Sequence, residues 1–169
     1  MSKYSVGDYV MHESAGVCRV ESIDVLALQG RGSEKSYYRL KPVYHSGGEI
    51  TTPVDDKNHR VRDVKPSNEM EDILHNVDKL GVIREKNERA RQEKIKEQVA
   101  LFDPAPLAGV VKSAYLRKQK RLAAGKKTMS SDERVLETVG RKLFEEMAFS
   151  MHTKPDDVEE QFFMELDQL

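Results

Sequence analysis

The chain has no tryptophan, one cysteine (Cys18) and only six prolines among 169 residues. A lone thiol rules out an internal disulfide. No apolar run reaches the roughly 20 residues of a membrane-spanning helix, or the shorter core of a secretory signal. Together these absences imply a cytoplasmic protein. No internal repeat or low-complexity tract occurs. Charge, by contrast, is plentiful: Asp, Glu, Lys and Arg make up 34% of the chain against 38% hydrophobic residues, and the latter are enough to exclude general disorder. Seven methionines and no tryptophan suit helical cores packed by aliphatic side chains. A chain of this length holds one medium domain or two small ones, each with a modest core. The net charge of -1 would argue against a polyanionic partner only if charge were evenly spread, and it is not.

From Tyr9 to about Val64 the residues read as short strands, with β-branched or alternating runs broken by turn residues roughly every ten positions. The first is expected near Tyr9 to His12, closed by Ser14-Ala15-Gly16, and the second runs from Val17 through Val20 and Ile23 to Leu28. Gln29-Gly30-Arg31-Gly32, with two glycines able to take positive φ, leads into a third strand from Ser36 to Lys41. Ser46-Gly47-Gly48 precedes a fourth, Glu49 to Thr52, which Pro53 ends by removing a donor, and Val61 to Val64 supplies the fifth. Five short, bent strands in about sixty residues cannot form an open sheet with two buried faces, so an SH3- or Tudor-like β barrel is expected.

Beyond Lys65-Pro66 the apolar period changes from two to about three and a half and stays helical. The expected architecture is therefore α+β, with a β domain over residues 1–66 and an all-helical domain of about five helices over residues 67–169. Ser67 is expected to cap a short helix carrying Met70, Ile73, Leu74 and Val77. A charged helix follows over residues 82–101, with a thin apolar face of Val82, Ile83, Ala90, Ile95 and Val99. Asp103-Pro104-Ala105-Pro106 breaks it, and Leu107, Val110, Val111, Ala114 and Tyr115 stripe a third helix ending near Gly125. Ser130 with Glu133 reads as a capping box for a fourth, striped by Leu136, Val139, Leu143, Met147 and Met151. Thr153 is expected to cap the last, with Val158, Phe162, Phe163 and Leu166 inward.

Between residues 112 and 131 stand seven basic residues, Lys112, Arg117, Lys118, Lys120, Arg121, Lys126 and Lys127, and no acidic one. Along one surface they would neutralise phosphates and release counterions. The plainer alternative is a solvated helix face offset by the acidic tail, Asp156, Asp157, Glu159, Glu160, Glu165 and Asp167. Residues 84–96 mix basic side chains with Glu85, Glu88 and Glu93 at the i,i+4 spacing of a solvated helix. Enzyme signals are poor. Gly125-Lys126-Lys127-Thr128 only faintly echoes a phosphate loop, because Lys120 occupies the first-glycine position and Lys127 that of Ser or Thr. His12, His45, His59, His75 and His152 lack ligand spacing, and Glu145-Glu146 and Glu159-Glu160 point apart on a helix. No catalysis, metal or cofactor is expected. The β module offers an edge to which a partner strand can add. Tyr9, Tyr37, Tyr38 and Tyr44 read as half-buried core residues with wet hydroxyls.

Val6-Gly7-Asp8-Tyr9-Val10 with the Gly16-Val17 turn, Tyr38-Arg39-Leu40-Lys41-Pro42, Pro53-Val54-Asp55 and Val61-Arg62-Asp63-Val64 form a series. It resembles the RNA polymerase interaction module of the CarD family of bacterial transcription regulators, which transcription-repair coupling factors also carry. Leu107-Ala108-Gly109-Val110-Val111 followed by Tyr115-Leu116-Arg117-Lys118 is similar to that family's middle helix, and Ser130-Ser131-Asp132-Glu133-Arg134 through Leu143 and Ala148 to its penultimate one. The similarity spans nearly all of the chain, in order. A coupling factor as a whole is not expected, since these residues contain no phosphate-binding loop of a helicase motor.

The resemblance implies a Tudor-like module that binds a lobe of the polymerase β subunit by strand addition. It also implies a helical domain that touches promoter DNA beside the melted region and stabilises open complexes, in a nucleoid-associated protein without membrane contact or small-molecule substrate. By position it assigns the polymerase contact to Leu26, Tyr37, Arg39, Glu49, Ile50, Thr51, Thr52 and Pro53. Leu26 and Thr51 stand where some members have arginine. DNA contact falls to Arg84, Arg89, Arg91, Lys112, Arg117, Lys118, Lys120, Arg121 and Arg134. Many members insert a tryptophan into the minor groove from the helix matching residues 84–91; this chain has none, and only flanking Ile83 is large and apolar there. Phosphate contacts should then dominate, with a weaker and more salt-sensitive grip. The alternative is an adaptor whose helical domain docks another protein instead of DNA.

Overall fold

Alternating side chains and turn residues give five antiparallel strands: β1 (Tyr9–His12), β2 (Gly16–Leu26), β3 (Lys35–Pro42), β4 (Ile50–Pro53) and β5 (Val61–Asp63). The computed structural model describes residues 2–169, which fall into two units meeting at the Val64–Lys65 bond. The strands form one sheet in the order β4-β3-β2-β1-β5. The sheet is open, which corrects the expected closed barrel: β4 and β5 are its two edges. β5 pairs with β1, and no pairing joins it to β4; in the loop between β4 and β5, Asp56 accepts from the amides of Arg60 (3.0 Å) and Val61 (2.9 Å). An irregularity between Val20 and Ser22 interrupts the β2–β3 register, as a bulge does where a strand bends.

One face of the sheet buries Val10, Cys18, Val20, Tyr38 and Leu40, against which Tyr4, Ile23, Ile50, Val54 and Val61 pack. Burial pushes the Cys18 thiol up to about 11 and keeps it protonated. The tyrosines divide more sharply than expected. Tyr38 is buried and its hydroxyl accepts from the Tyr4 amide at 3.2 Å, so it is not wet, whereas Tyr9 is exposed.

The second unit contains α1 (Ser67–His75), a 3₁₀ turn (Val77–Lys79), α2 (Glu88–Ala100), α3 (Pro104–Ala123), α4 (Ser130–Val135), α5 (Arg141–Met151) and α6 (Pro155–Asp167). A π segment, Leu136–Gly140, joins α4 to α5 without a break. Inside it the Thr138 hydroxyl donates to the Arg134 carbonyl at 2.8 Å, a back-bond that competes with the regular helical ladder. The core is aliphatic, Met and Phe: Met70, Leu74, Leu107, Val111, Leu143, Phe144, Met147, Val158, Phe162 and Leu166. Tyr115 stacks on Phe163 with ring centroids 4.3 Å apart. Among the described residues no helix is long and apolar enough to cross a membrane.

Helix starts correct the expected caps. Ser67 is the first helical residue, preceded by extended Pro66, and neither Ser130 nor Thr153 caps through its side chain. At α6 the reason is Pro155, whose fixed φ suits the first helical position and moves the cap to Lys154. α2 begins at Glu88, six residues later than expected, with the Asn87 side chain accepting from Arg89 (2.8 Å) and Ala90 (3.3 Å) amides.

Candidate functional site

The edge of the β unit is defined by hydrogen-bond parity. The Val54 amide donates to the Ser36 carbonyl at 3.0 Å, and the register pairs Tyr38 with Thr52 and Leu40 with Ile50. Bonded and non-bonded pairs alternate in an antiparallel ladder, so Ile50 and Thr52 turn their backbone groups to β3, while Thr51 and Pro53 turn theirs outward. Pro53 therefore belongs to β4 and costs the ladder nothing, because its missing donor faces away. Within β4 the outward donor is Thr51.

Side chains follow the same alternation. Thr52 is 2% exposed and Ile50 packs on the core, whereas Thr51 is exposed. On the outer face the Arg39 guanidinium lies 3.3 Å from both Asp24 and Glu49, with Arg39 and Glu49 exposed and Asp24 partly so. Tyr37, opposite Pro53, is nearly buried, and Leu26 sits on β2 facing Lys35, away from the β4 edge. Of the residues expected to meet polymerase, Arg39, Glu49 and Thr51 thus share an accessible edge, and Tyr37, Ile50 and Thr52 chiefly hold it in place. A groove beside β4 is lined by Thr51, Pro53, Lys57, Arg60 and His12. His12 Nδ1 accepts from the Ser14 and Ala15 amides, both at 3.2 Å, which puts its proton on Nε2.

In the helical unit the cations separate into internal and external sets. Lys112 is 4% exposed, and its ammonium donates to the carbonyls of Val77 (2.6 Å), Leu80 (3.0 Å) and Asp78 (3.3 Å). Burial pushes its pKa down, opposed by Asp78. Arg91 is 5% exposed; its Nη1 donates to the Ile83 carbonyl at 3.1 Å and its Nη2 lies 3.8 Å from Asp132. Both heads thus turn into the unit, Lys112 onto the carbonyls of residues 77–80 and Arg91 toward the Ile83 carbonyl and Asp132. Arg117 is partly buried and fully engaged: it donates to Asp132 at 2.7 and 2.9 Å and to Glu88 at 2.8 Å, while the Ser131 hydroxyl donates to Glu88 at 3.0 Å. These bonds, Arg117 first, pull the Glu88 carboxyl down to about 2, and its bonds to Asp132, then Glu88, raise the Arg117 pKa.

The other expected cations reach solvent. Arg84, Arg89, Lys120 and Arg134 are exposed. Lys118 is bridged to Glu133 at 3.0 Å, and Arg121 donates to the Lys127 carbonyl at 2.7 Å. Exposed Lys126 and Lys127 lie just past α3. Sequence reasoning missed Gly109, Ser113, Glu88 and Asp132, which organise the internal set. The available signal was small or polar residues inside the α3 stripe, Gly109 and Ser113. Among the described residues no three His, Cys, Asp or Glu side chains converge as a metal site requires.

No curated protein matches the chain significantly. Residues 4–65 match the family model described as CarD-like/TRCF RID domain, coinciding with the β unit and its open β4 edge. The β unit is thus a CarD-like/TRCF RID domain, an RNA polymerase-interaction module.

Proposed function

We propose that this chain is a transcription regulator whose β4 edge takes up a strand from the polymerase β subunit while its helical unit holds promoter DNA and stabilises the open complex. The observation that carries the polymerase half is the family match over residues 4–65, joined to an edge with an outward donor at Thr51 flanked by Arg39 and Glu49. For the DNA half, support comes from exposed Arg84, Arg89, Lys120, Lys126, Lys127 and Arg134, and from the lack of any acidic residue between 112 and 131. With no tryptophan to unstack a base step, contact runs through phosphates and weakens steeply with salt. Nucleoid association follows from such contact.

The decisive experiment is the lifetime of open complexes with the full chain and with Lys120→Glu/Lys126→Glu. A shortened lifetime with polymerase association intact is expected. An unchanged lifetime would refute the DNA half. A second reading, in which the helical unit docks another protein, is favoured by the internal placement of Arg91, Lys112 and Arg117, which thins the cationic surface. Crosslinks from residues 84–134 to promoter DNA would exclude it.

A further inference from the structure

Residues 80–87 belong to no helix or strand, yet they are pinned along α3 and α2 at successive points. The Leu80 carbonyl accepts from Lys112 at 3.0 Å. The backbone of Gly81 lies so close to α3 that a Cβ on Gly109 would stand 3.0 Å from the Gly81 oxygen. The Ile83 amide donates to Ser113 Oγ at 2.9 Å, and its carbonyl accepts from Arg91 at 3.1 Å. Asn87 then caps α2, and Glu88 turns its carboxylate to Arg117. A loop held only by its ends would not need a buried lysine, a buried arginine and a close-approach glycine.

The charge left outside is one-sided. Glu88 is drawn onto Arg117, so the outward groups of this stretch are Arg84, Lys86 and Arg89 against Glu85 alone. We infer that residues 80–87 form a presenting strap, and that Gly109, Lys112, Ser113 and Arg91 are positioning residues fixing where Arg84, Lys86 and Arg89 meet nucleic-acid phosphates. This rests on the nucleic-acid reading above. Cations on a fixed backbone can engage neighbouring phosphates together, whereas on a loose loop each contact would carry its own ordering cost.

The test is salt-titrated binding of the full chain to a labelled DNA duplex of random sequence, alongside hydrogen exchange at the Ile83 amide. Ser113→Ala removes the anchor of that amide without adding bulk. Faster exchange at Ile83 is expected, together with a fall of about 1 to 2 in the slope of log affinity against log salt, at about 0.9 per phosphate lost. Arg84→Ala/Lys86→Ala should produce a similar fall, and adding Ser113→Ala to that pair should change little more, since both act on the same contacts. Lys112→Met should act in the direction of Ser113→Ala. Polymerase association, which belongs to the β unit, should not move. The strap assignment is overturned if Ile83 stays protected in Ser113→Ala, if it opens with the slope unchanged, or if the losses simply add. A wild-type chain without salt-dependent DNA binding would remove the nucleic-acid reading itself, which is a separate failure.

Discussion

Arg39 in the β unit and Arg117 in the helical unit each lie between two carboxylates, and the two arrangements do different work. The partners of Arg39, Asp24 and Glu49, are 3.3 Å away and over a third of each side chain meets water. Such pairs are held weakly, worth about 0–1 kcal/mol. Arg117 grips Asp132 at 2.7 Å, with Asp132 1% exposed, and ties the start of α2 to α3 and α4. Identical chemistry thus serves a surface in one unit and internal architecture in the other, with burial deciding which.

The sharpest way to break this contrast is to remove one carboxylate from each set. Asp132→Ala leaves Arg117 and Arg91 without their buried counter-charge and is expected to cost about 3–5 kcal/mol in denaturant unfolding. Asp24→Ala should stay within about 0.5 kcal/mol. Comparable losses would erase the distinction. Lys112→Met, which strips a cation from three carbonyls, should cost about 1–3 kcal/mol, again by unfolding. For the surface side, Thr51→Pro deletes the outward donor of β4 but no ladder bond. Its polymerase affinity should fall about fivefold or more, as for one hydrogen bond, with the melting temperature nearly unchanged.

The smallest effect concerns pH. Because the folded Glu88 pKa is depressed, to about 2, its stabilising contribution is complete above the unfolded value of about 4.3 and is lost as pH falls from there toward 2. Glu88→Gln should therefore flatten the acid limb of stability in that window, read by unfolding at successive pH values. Unaltered acid dependence would mean that the bond to Arg117 does not set the Glu88 titration.

Strand positions were legible because turn residues such as Gly30 and Gly47 punctuate alternating runs, and β1 was read at its observed bounds. Barrel closure was not, because it depends on whether β4 and β5 meet, and alternating side chains carry no signal for which strands pair. The helical stripe of α3 and the inward faces of α5 and α6 were visible at 3.6-residue spacing. Residues 82–87 misled because charged segments carry little apolar period, whereas their non-helical course depends on distant partners such as Ser113 on α3. Counting basic residues likewise could not show that Lys112 points into the unit. Its neighbours Val110, Val111 and Ala114 are all buried, which is the one hint the stripe contained.

The outward-facing Pro53 also bears on solubility. An open edge is a template for uncontrolled pairing, and proteins commonly blunt such edges with short strands, proline and charge. β4 has only four residues, ends on a proline whose outer side offers no donor, and is preceded by Glu49. A second copy of the chain would find too few paired groups there to start a growing ribbon. Under the proposed strand addition, one strand of matched sequence and charge would still complete the sheet, while the same proline blunts the edge against uncontrolled pairing.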